Sequence, residues 1–214
     1  MNGATQPYPV HDALEVGDAK NALRAAVRSH RHQRSPRLRQ EAAEGFADVV
    51  ANHELLASAR CVAAYVSRPH EPGTLVLLER LAERGVDVLL PVLGAGLERG
   101  WAPYAGPDDL QERAPGRPPE PGTPAQGADA LAQADVVIAP ALAVDTAGLR
   151  LGQGGGWYDR ALSHRRPGTP VVALVFPEEV YDAATRPVPH EEHDVPVDAY
   201  ATPASWTWLT APGD

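Results

Sequence analysis

From Cys61 to Val66 the chain reads Cys-Val-Ala-Ala-Tyr-Val, and similar apolar runs return at Val86–Val92, Ala134–Pro140 and Pro170–Phe176. Short, nearly continuous runs of this kind suit strands of a parallel sheet covered on both faces. Between them the apolar positions fall at helical spacing. A first helix is predicted from Ala19 to about Arg34, with Asp18 as its N-cap. Pro36 opens a second, predicted to reach about Ala57, with Leu38, Ala42, Phe46, Val49 and Val50 on one stripe. Thr74 to about Arg84 is a third, stopped by Gly85. Leu97–Tyr104 and the last part of Pro189–Thr202 read as further strands. Alternating strands and helices predict a three-layer α/β domain, with helices on both faces of a mostly parallel sheet.

Two stretches fall outside this pattern. Met1 to about Gly17 carries polar residues, two prolines and no periodicity, which predicts a mobile leader over 1–17 ahead of a single domain over 18–214. Ala105 to about Ala128 is rich in proline, glycine and charge, and a loop of that length inside a domain is expected to be a lid or binding loop. With 214 residues the chain can bury a sizeable core. Its formal net charge of −9 argues against a general nucleic-acid binder, because affinity for a phosphate backbone needs an excess of lysine and arginine. No apolar run approaches the length of a membrane span, and the N-terminus lacks the basic start and apolar core of a signal peptide. Cys61 is the single cysteine, which excludes an internal disulfide, and its apolar surroundings suit a buried, inert thiol. The expectation is a cytoplasmic protein with small-molecule substrates, no membrane or nucleic-acid partner, and a monomeric or homodimeric state.

The chemistry concentrates between Pro140 and Arg160, where an apolar strand leads through Gly152, Gly154, Gly155 and Gly156 into a helix predicted to begin at Trp157. Such glycines let a ligand approach the main chain, and the unpaired N–H groups of a helix start would face an anion lying on them. No Gly-Lys-Ser/Thr tripeptide exists, so this is not a Walker loop. The Rossmann fingerprint also fails, since Trp157 stands where its third glycine belongs. Asp159, just inside the helix, is suited to a magnesium ion bridging phosphates. Upstream, Lys20, Arg24, Arg28 and Arg31 recur at spacings of four, four and three, which brings them onto one helical face. That stripe is either a solvated basic surface or the counterpart of a polyphosphate. Arg150 suits a bidentate phosphate clamp or, equally, an ion pair with Asp145. His190 and His193 are three apart between prolines, which excludes the helical zinc motif with its spacing of four.

Arg150-Leu-Gly-Gln-Gly-Gly-Gly-Trp-Tyr-Asp159, preceded by Pro140-Ala-Leu-Ala-Val-Asp145, resembles the signature of the 5-formyltetrahydrofolate cyclo-ligases, also called methenyltetrahydrofolate synthetases. The family usually has tyrosine at the position of Trp157, so an aromatic ring is kept while the phenol is lost. The basic helix matches the family's opening Lys-x-x-x-Arg-x-x-x-Arg-x-x-Arg, whose first two cations are associated with ATP phosphates. Glu71-Pro-Gly-Thr74 follows the first strand as in the family, where the glutamate pairs with the pterin. A carboxylate can accept two parallel hydrogen bonds from such a 2-amino-pyrimidinone edge. Glu120-Pro121 resembles the Glu-Pro pair after the family's loop. Glu191-Glu-His-Asp194-Val-Pro-Val-Asp198 resembles its closing Glu-Pro-His-Asp-x-Pro-x-Asp, with Glu192 in place of proline.

The resemblance implies MgATP-dependent cyclisation of 5-formyltetrahydrofolate to 5,10-methenyltetrahydrofolate, with release of ADP and phosphate, on a fold like that of sugar-phosphate isomerases and CoA transferases. It implies ATP contacts from Lys20, Arg24, Arg150, Gly152, Gln153, Gly154, Gly155, Gly156, Trp157 and Tyr158. Folate contacts would come from Val66, Glu71, Leu97, Trp101 and Trp157, and magnesium would lie on Asp159 and Asp194. Lys20 and Arg150 would stabilise the charge of the transferring phosphoryl group. Trp101 is otherwise a core residue, Asp194 otherwise a turn aspartate bonding local N–H groups, and many members have methionine near Leu97. Two rival readings remain on the sequence. One is a nucleotide- or folate-binding regulatory protein, which would not need Asp159 and Asp194; the other is a sugar-phosphate isomerase or CoA transferase, which would not need Lys20 and Arg24.

Overall fold

The computed structural model describes residues 6–9, 14–93, 99–114 and 116–209. Its helices are α1 (Val16–His32), α2 (Pro36–Ala51), α3 (Glu54–Ala57), α4 (Leu75–Glu83) and α5 (Trp157–Ala161). Its strands are β1 (Cys61–Ala63), β2 (Asp87–Leu93), β3 (Arg99–Pro103), β4 (Leu110–Gln111), β5 (Glu120–Pro121), β6 (Val136–Pro140), β7 (Ala143–Asp145), β8 (Arg150–Leu151), β9 (Val171–Leu174), β10 (Val180–Tyr181), β11 (Ala199–Ala201) and β12 (Trp206–Trp208). No described helix is long and apolar enough to cross a membrane.

The main sheet has seven strands in the order β12-β11-β9-β6-β1-β2-β3. The five from β11 to β2 run parallel, and an antiparallel strand closes each edge. Alternate residues sort to the two faces. Val62, Leu90, Ile138 and Val172 pack with Phe46, Val50, Leu77 and Leu81 of α2 and α4, whereas Ala63, Leu89, Val137 and Val171 face Leu131 and Leu162 on the other side. The second face is covered mainly by α5 and by 3₁₀ turns at Ala128–Gln133 and Leu162–His164. This is the expected three-layer α/β arrangement, with one outer layer much thinner than the other. The chain leaves β1 toward β2 on one side and, later, builds β6, β9 and β11 on the other, so the order reverses at β1 and β6. Ligands on such sheets collect beyond the carboxyl ends of strands at that reversal.

Several predicted boundaries move for local reasons. α2 ends at Ala51 because His53 is extended and its ring accepts the Leu55 N–H, starting α3 afresh. β1 stops at Ala63, after which Tyr65 O accepts from the Thr74 hydroxyl at 2.7 Å and the chain turns into a loop. α4 closes as expected on Gly85, whose φ of +76° permits the Val86 N–H to reach back to Leu81 O. The predicted loop 105–128 contains a small β4–β5 hairpin and is tied to the sheet by paired main-chain bonds between Trp101 and Gln126. β7, β8, β10 and β12 are additions that the apolar pattern did not announce, being only two or three residues long. Of the expected leader 1–17, Gln6–Pro9 is described and touches the domain: the Tyr8 ring packs edge-on against Tyr181 at 5.2 Å and its hydroxyl donates to Pro187 O. Val16 and Gly17 already belong to α1.

α1 lies on the small sheet of β7, β8 and β10, with Leu23 and Val27 packed against Leu142, Leu151 and Tyr181. Arg31, expected in the cationic stripe, is buried instead. Its Nε and Nη2 donate to the two carboxylate oxygens of Glu179 at 2.6 and 2.7 Å, and Nη2 also donates to Ala141 O. Removing one member of such a pair strands the other charge in the interior.

Arg31→Ala is therefore expected to lower unfolding free energy by about 3–5 kcal/mol, measured by urea denaturation; a loss below about 1 kcal/mol would contradict this anchoring role. Cys61 is half-buried, and burial, followed by the charges of Asp87 and Asp135, pushes its thiol up to about 11. At pH 8 its reaction with Ellman's reagent is expected to be about a hundredfold slower in the native protein than in the urea-unfolded chain.

Candidate active site

A cavity of about 520 Å³ opens beyond β1 and β6, at the strand-order reversal. Three segments distant in sequence form its charged wall: the first turns of α1, the glycine loop after β8, and the closing segment Glu191–Asp194. Val66 and Glu71 enter from the loop after β1, and Arg117–Glu120 of the 105–128 stretch complete the rim.

Lys20 is buried, and its Nζ donates to Asp194 Oδ2 and Glu191 Oε2, both at 2.6 Å. Burial opposes the charges of Lys20 and Asp194. The hydrogen bonds between them, the other bonds they make and their mutual attraction outweigh it, so the lysine pKa lies above and the aspartate pKa below its ordinary value. One turn on, Arg24 Nε donates to Gly152 O at 3.0 Å. Burial first, and the neighbouring Arg28 charge second, depress the Arg24 pKa, outweighing the attraction of Asp194, Glu191 and Asp159. Arg28, one further turn along, donates to Gln153 O and Oε1. The face Lys20–Arg24–Arg28 thus meets the glycine loop and the closing segment in register.

Arg150 does not form the alternative ion pair with Asp145; its Nη2 donates to Asp159 Oδ1 at 2.6 Å and its Nη1 to Pro140 O at 3.2 Å. Asp145 instead accepts from the N–H groups of Ala147, Leu149 and Val188, holding the turn between β7 and β8. The helix after the glycines has five residues, starting behind Gly156 at φ +58° with no side-chain cap. An anion there would be held mainly by Lys20, Arg24, Arg150 and loop N–H groups, since a single turn sums few peptide dipoles.

Asp159 and Asp194 line the same cavity. Each engages one oxygen with a cation and leaves the other without a protein hydrogen bond among the described residues. No group of three or more metal-ligating side chains is assembled among those residues. Two half-free carboxylates beside a phosphate-sized cradle fit magnesium arriving with its phosphate oxygens and water, not a pre-built protein cage.

Glu71 is half-buried; its Oε2 accepts the Arg68 N–H at 2.8 Å and its Oε1 accepts Gln153 Nε2 at 2.5 Å. Trp157 and Tyr158 both line the cavity. Burial keeps the Tyr158 phenol protonated far above the ordinary range, and its hydroxyl donates to Ala64 O at 3.4 Å. Trp101 lies elsewhere than expected for a folate contact: it is 1 % exposed, does not line the cavity, and backs Trp157 edge-on at 5.2 Å. Leu97 lies outside the described residues. Three contributors carried no assigned role on the sequence. Arg28 was detectable from its helical spacing and Glu191 from its place in the closing segment; Tyr65 was not, since only the fold brings it to the wall. The Tyr65 hydroxyl and Arg150 Nε are buried without a hydrogen-bond partner among the described residues, which leaves polar capacity for a ligand or water.

Residues 16–203 match the profile of the 5-formyltetrahydrofolate cyclo-ligase family. The chain is similar to a protein of Mycolicibacterium smegmatis named 5-formyltetrahydrofolate cyclo-ligase, at 38% identity over 192 residues covering 86% of this chain and 94% of the relative. An Escherichia coli protein of the same name is 30% identical over 189 residues, covering 85% of this chain and all of the relative, 100%. Among solved structures, the NMR structure of Aquifex aeolicus 5,10-methenyltetrahydrofolate synthetase superposes with a TM-score of 0.74 at 25% identity, covering 89% of this chain and 92% of that one.

Gly154 has φ +106°, a conformation that strains any residue bearing a Cβ, while the space around it would admit one. Gly154→Ala is expected to weaken pyrophosphate binding roughly tenfold, corresponding to 1–2 kcal/mol of backbone strain, with a thermal midpoint only a few degrees lower. Calorimetric titration checks this, and unchanged affinity would show that the loop conformation is not used.

Proposed function

The chain belongs to the 5-formyltetrahydrofolate cyclo-ligase family and is a ligase, and from that premise we propose that it closes 5-formyltetrahydrofolate to 5,10-methenyltetrahydrofolate in this cavity, driven by MgATP. The observation that carries the reading is the sorting of charge in one space. A carboxylate beyond β1, Glu71, shares the cavity with Lys20, Arg24 and Arg150 around the glycine loop.

A formamide oxygen is a poor leaving group, which is why the ring closure needs a nucleotide. The formyl oxygen attacks the γ-phosphorus, the bond from phosphorus to the bridging oxygen breaks, and ADP departs. The O-phosphorylated formyl carbon is then electrophilic, with positive charge shared by N5. N10 adds its lone pair to that carbon and loses its proton, and the carbon–oxygen bond breaks to release phosphate, leaving the N5–C–N10 amidinium of the product. Glu71 orients the pterin by accepting hydrogen bonds from its amino-pyrimidinone edge. Val66, Trp157 and Tyr158 supply wall that excludes water from the phosphorylated carbon.

The cations act by changing partners. Lys20 and Arg150 are neutralised by Asp194 and Asp159 in the free protein. Triphosphate oxygens would take over the two cations and so stabilise the transferring phosphoryl group, while the carboxylates turn to the metal. Magnesium, held by Asp159 and Asp194, would neutralise phosphate charge when bound. Arg24 needs no such exchange, its hydrogen-bond partners being the neutral oxygens Gly152 O and Asn21 Oδ1.

Mixed with 5-formyltetrahydrofolate, the protein is expected to form methenyl product, followed by absorbance, only when ATP and magnesium are both present. Lys20→Ala and Asp159→Asn should each lower turnover by about a hundredfold or more while circular dichroism stays that of the folded protein. Near-normal turnover in both variants would overturn the phosphate-site assignment.

A further inference from the structure

Between Gly152 and Gly156 the only residue with a side chain beyond hydrogen is Gln153. That side chain does not point idly into solvent. Its Nε2 donates to Glu71 Oε1 at 2.5 Å, 82 residues away in sequence, and its Oε1 accepts from Arg28 Nη2 at 3.0 Å. The same Arg28 nitrogen holds the Gln153 main-chain oxygen at 2.9 Å, and Arg24 holds the Gly152 oxygen. An amide suits this place because it offers a donor at one end and an acceptor at the other. Rotating it by half a turn would set oxygen against carboxylate and N–H against guanidinium, so the two neighbours dictate its orientation.

The consequence is mechanical. The loop after β1 is pinned at its base by reciprocal bonds between Ser67 and Thr74, with Thr74 Oγ1 also donating to Tyr65 O, so Glu71 rises from a fixed footing. Four of the five residues from Gly152 to Gly156 have no side chain, and Gly154 and Gly156 sit at positive φ. Gln153 is the one side chain of that loop able to grip the loop after β1. We propose that Gln153 is a positioning residue that couples the folate and nucleotide sites, ordering the glycine loop when Glu71 is engaged and orienting Glu71 when the loop is engaged. This rests on the reading of Glu71 as the pterin carboxylate. A carboxylate oxygen has two lone pairs, so Glu71 can keep the Gln153 bond while accepting from a pterin edge. The two ligands then share one ordering cost, and each tightens the other.

The test is calorimetric titration of the full chain with 5-formyltetrahydrofolate, with and without saturating β,γ-methylene-ATP and magnesium. In the wild-type protein the analogue is expected to tighten folate binding about fivefold or more, and in Gln153→Ala the ratio should fall to within about twofold of one. The affinity of Gln153→Ala for each ligand alone is measured separately, so that any direct contact of Gln153 with nucleotide divides out of the ratio, which reports only the link. Arg28→Ala, which frees the acceptor end of the amide, should shrink the ratio as well. A wild-type ratio of one or an undiminished ratio in Gln153→Ala would overturn the proposal. Glu71→Gln separates the premise from the inference: it should lose folate affinity while keeping nucleotide affinity, and normal folate binding would remove the pterin assignment on which the link rests.

Discussion

The buried pair of Arg31 with Glu179 sets where the basic helix lies, and the charged wall of the cavity follows from that. A helix is a stiff rod with a fixed rise and rotation per residue. Once Arg31 is clamped near its end and Leu23 and Val27 are seated on the small sheet, the positions of Lys20, Arg24 and Arg28 are no longer independent. They arrive on successive turns at the closing segment, at Gly152 and at Gln153. The desolvation cost of the clamp is offset by its bidentate geometry and by the added bond to Ala141 O.

A strongly acidic protein that handles phosphates must concentrate positive charge locally and keep it from being wasted. Here two of the site cations are matched by carboxylates that are themselves suited to a metal, so the free site is close to electrically balanced. Arg24 and Arg28 are bonded to carbonyl oxygens instead. Under the proposed reaction, a metal–nucleotide complex would enter by exchange of these partners, so that a buried charge need not be left unpaired.

The aromatic residues divide the same way between support and contact. Trp157 faces the cavity while Trp101 stands behind it in the core, at an edge-on geometry that favours the ring quadrupoles. Trp157 therefore leans on a second indole.

The layered fold and its parallel sheet were legible in the alternation of apolar runs with helical stripes, and so were the glycine loop, the basic spacing of α1 and the closing Glu-x-His-Asp segment. These are short-range properties: strand period, helix period and glycine freedom are set by neighbours in the chain. What the chain pattern alone left undecided was which charges meet. Arg31 lies on the same helix as Arg24 yet ends in the interior, because its partner Glu179 is 148 residues away. Arg150 meets Asp159 and not Asp145, whose oxygens accept the N–H groups of Ala147 and Leu149 in the turn and of the distant Val188. Trp101 became a support and Gln153 a bridge for the same reason. Composition and periodicity determined the longer elements and the kinds of group available; only the packing of distant segments determined the short strands and which pairs form, since Coulomb attraction and hydrogen bonding act across space and leave no period in the sequence.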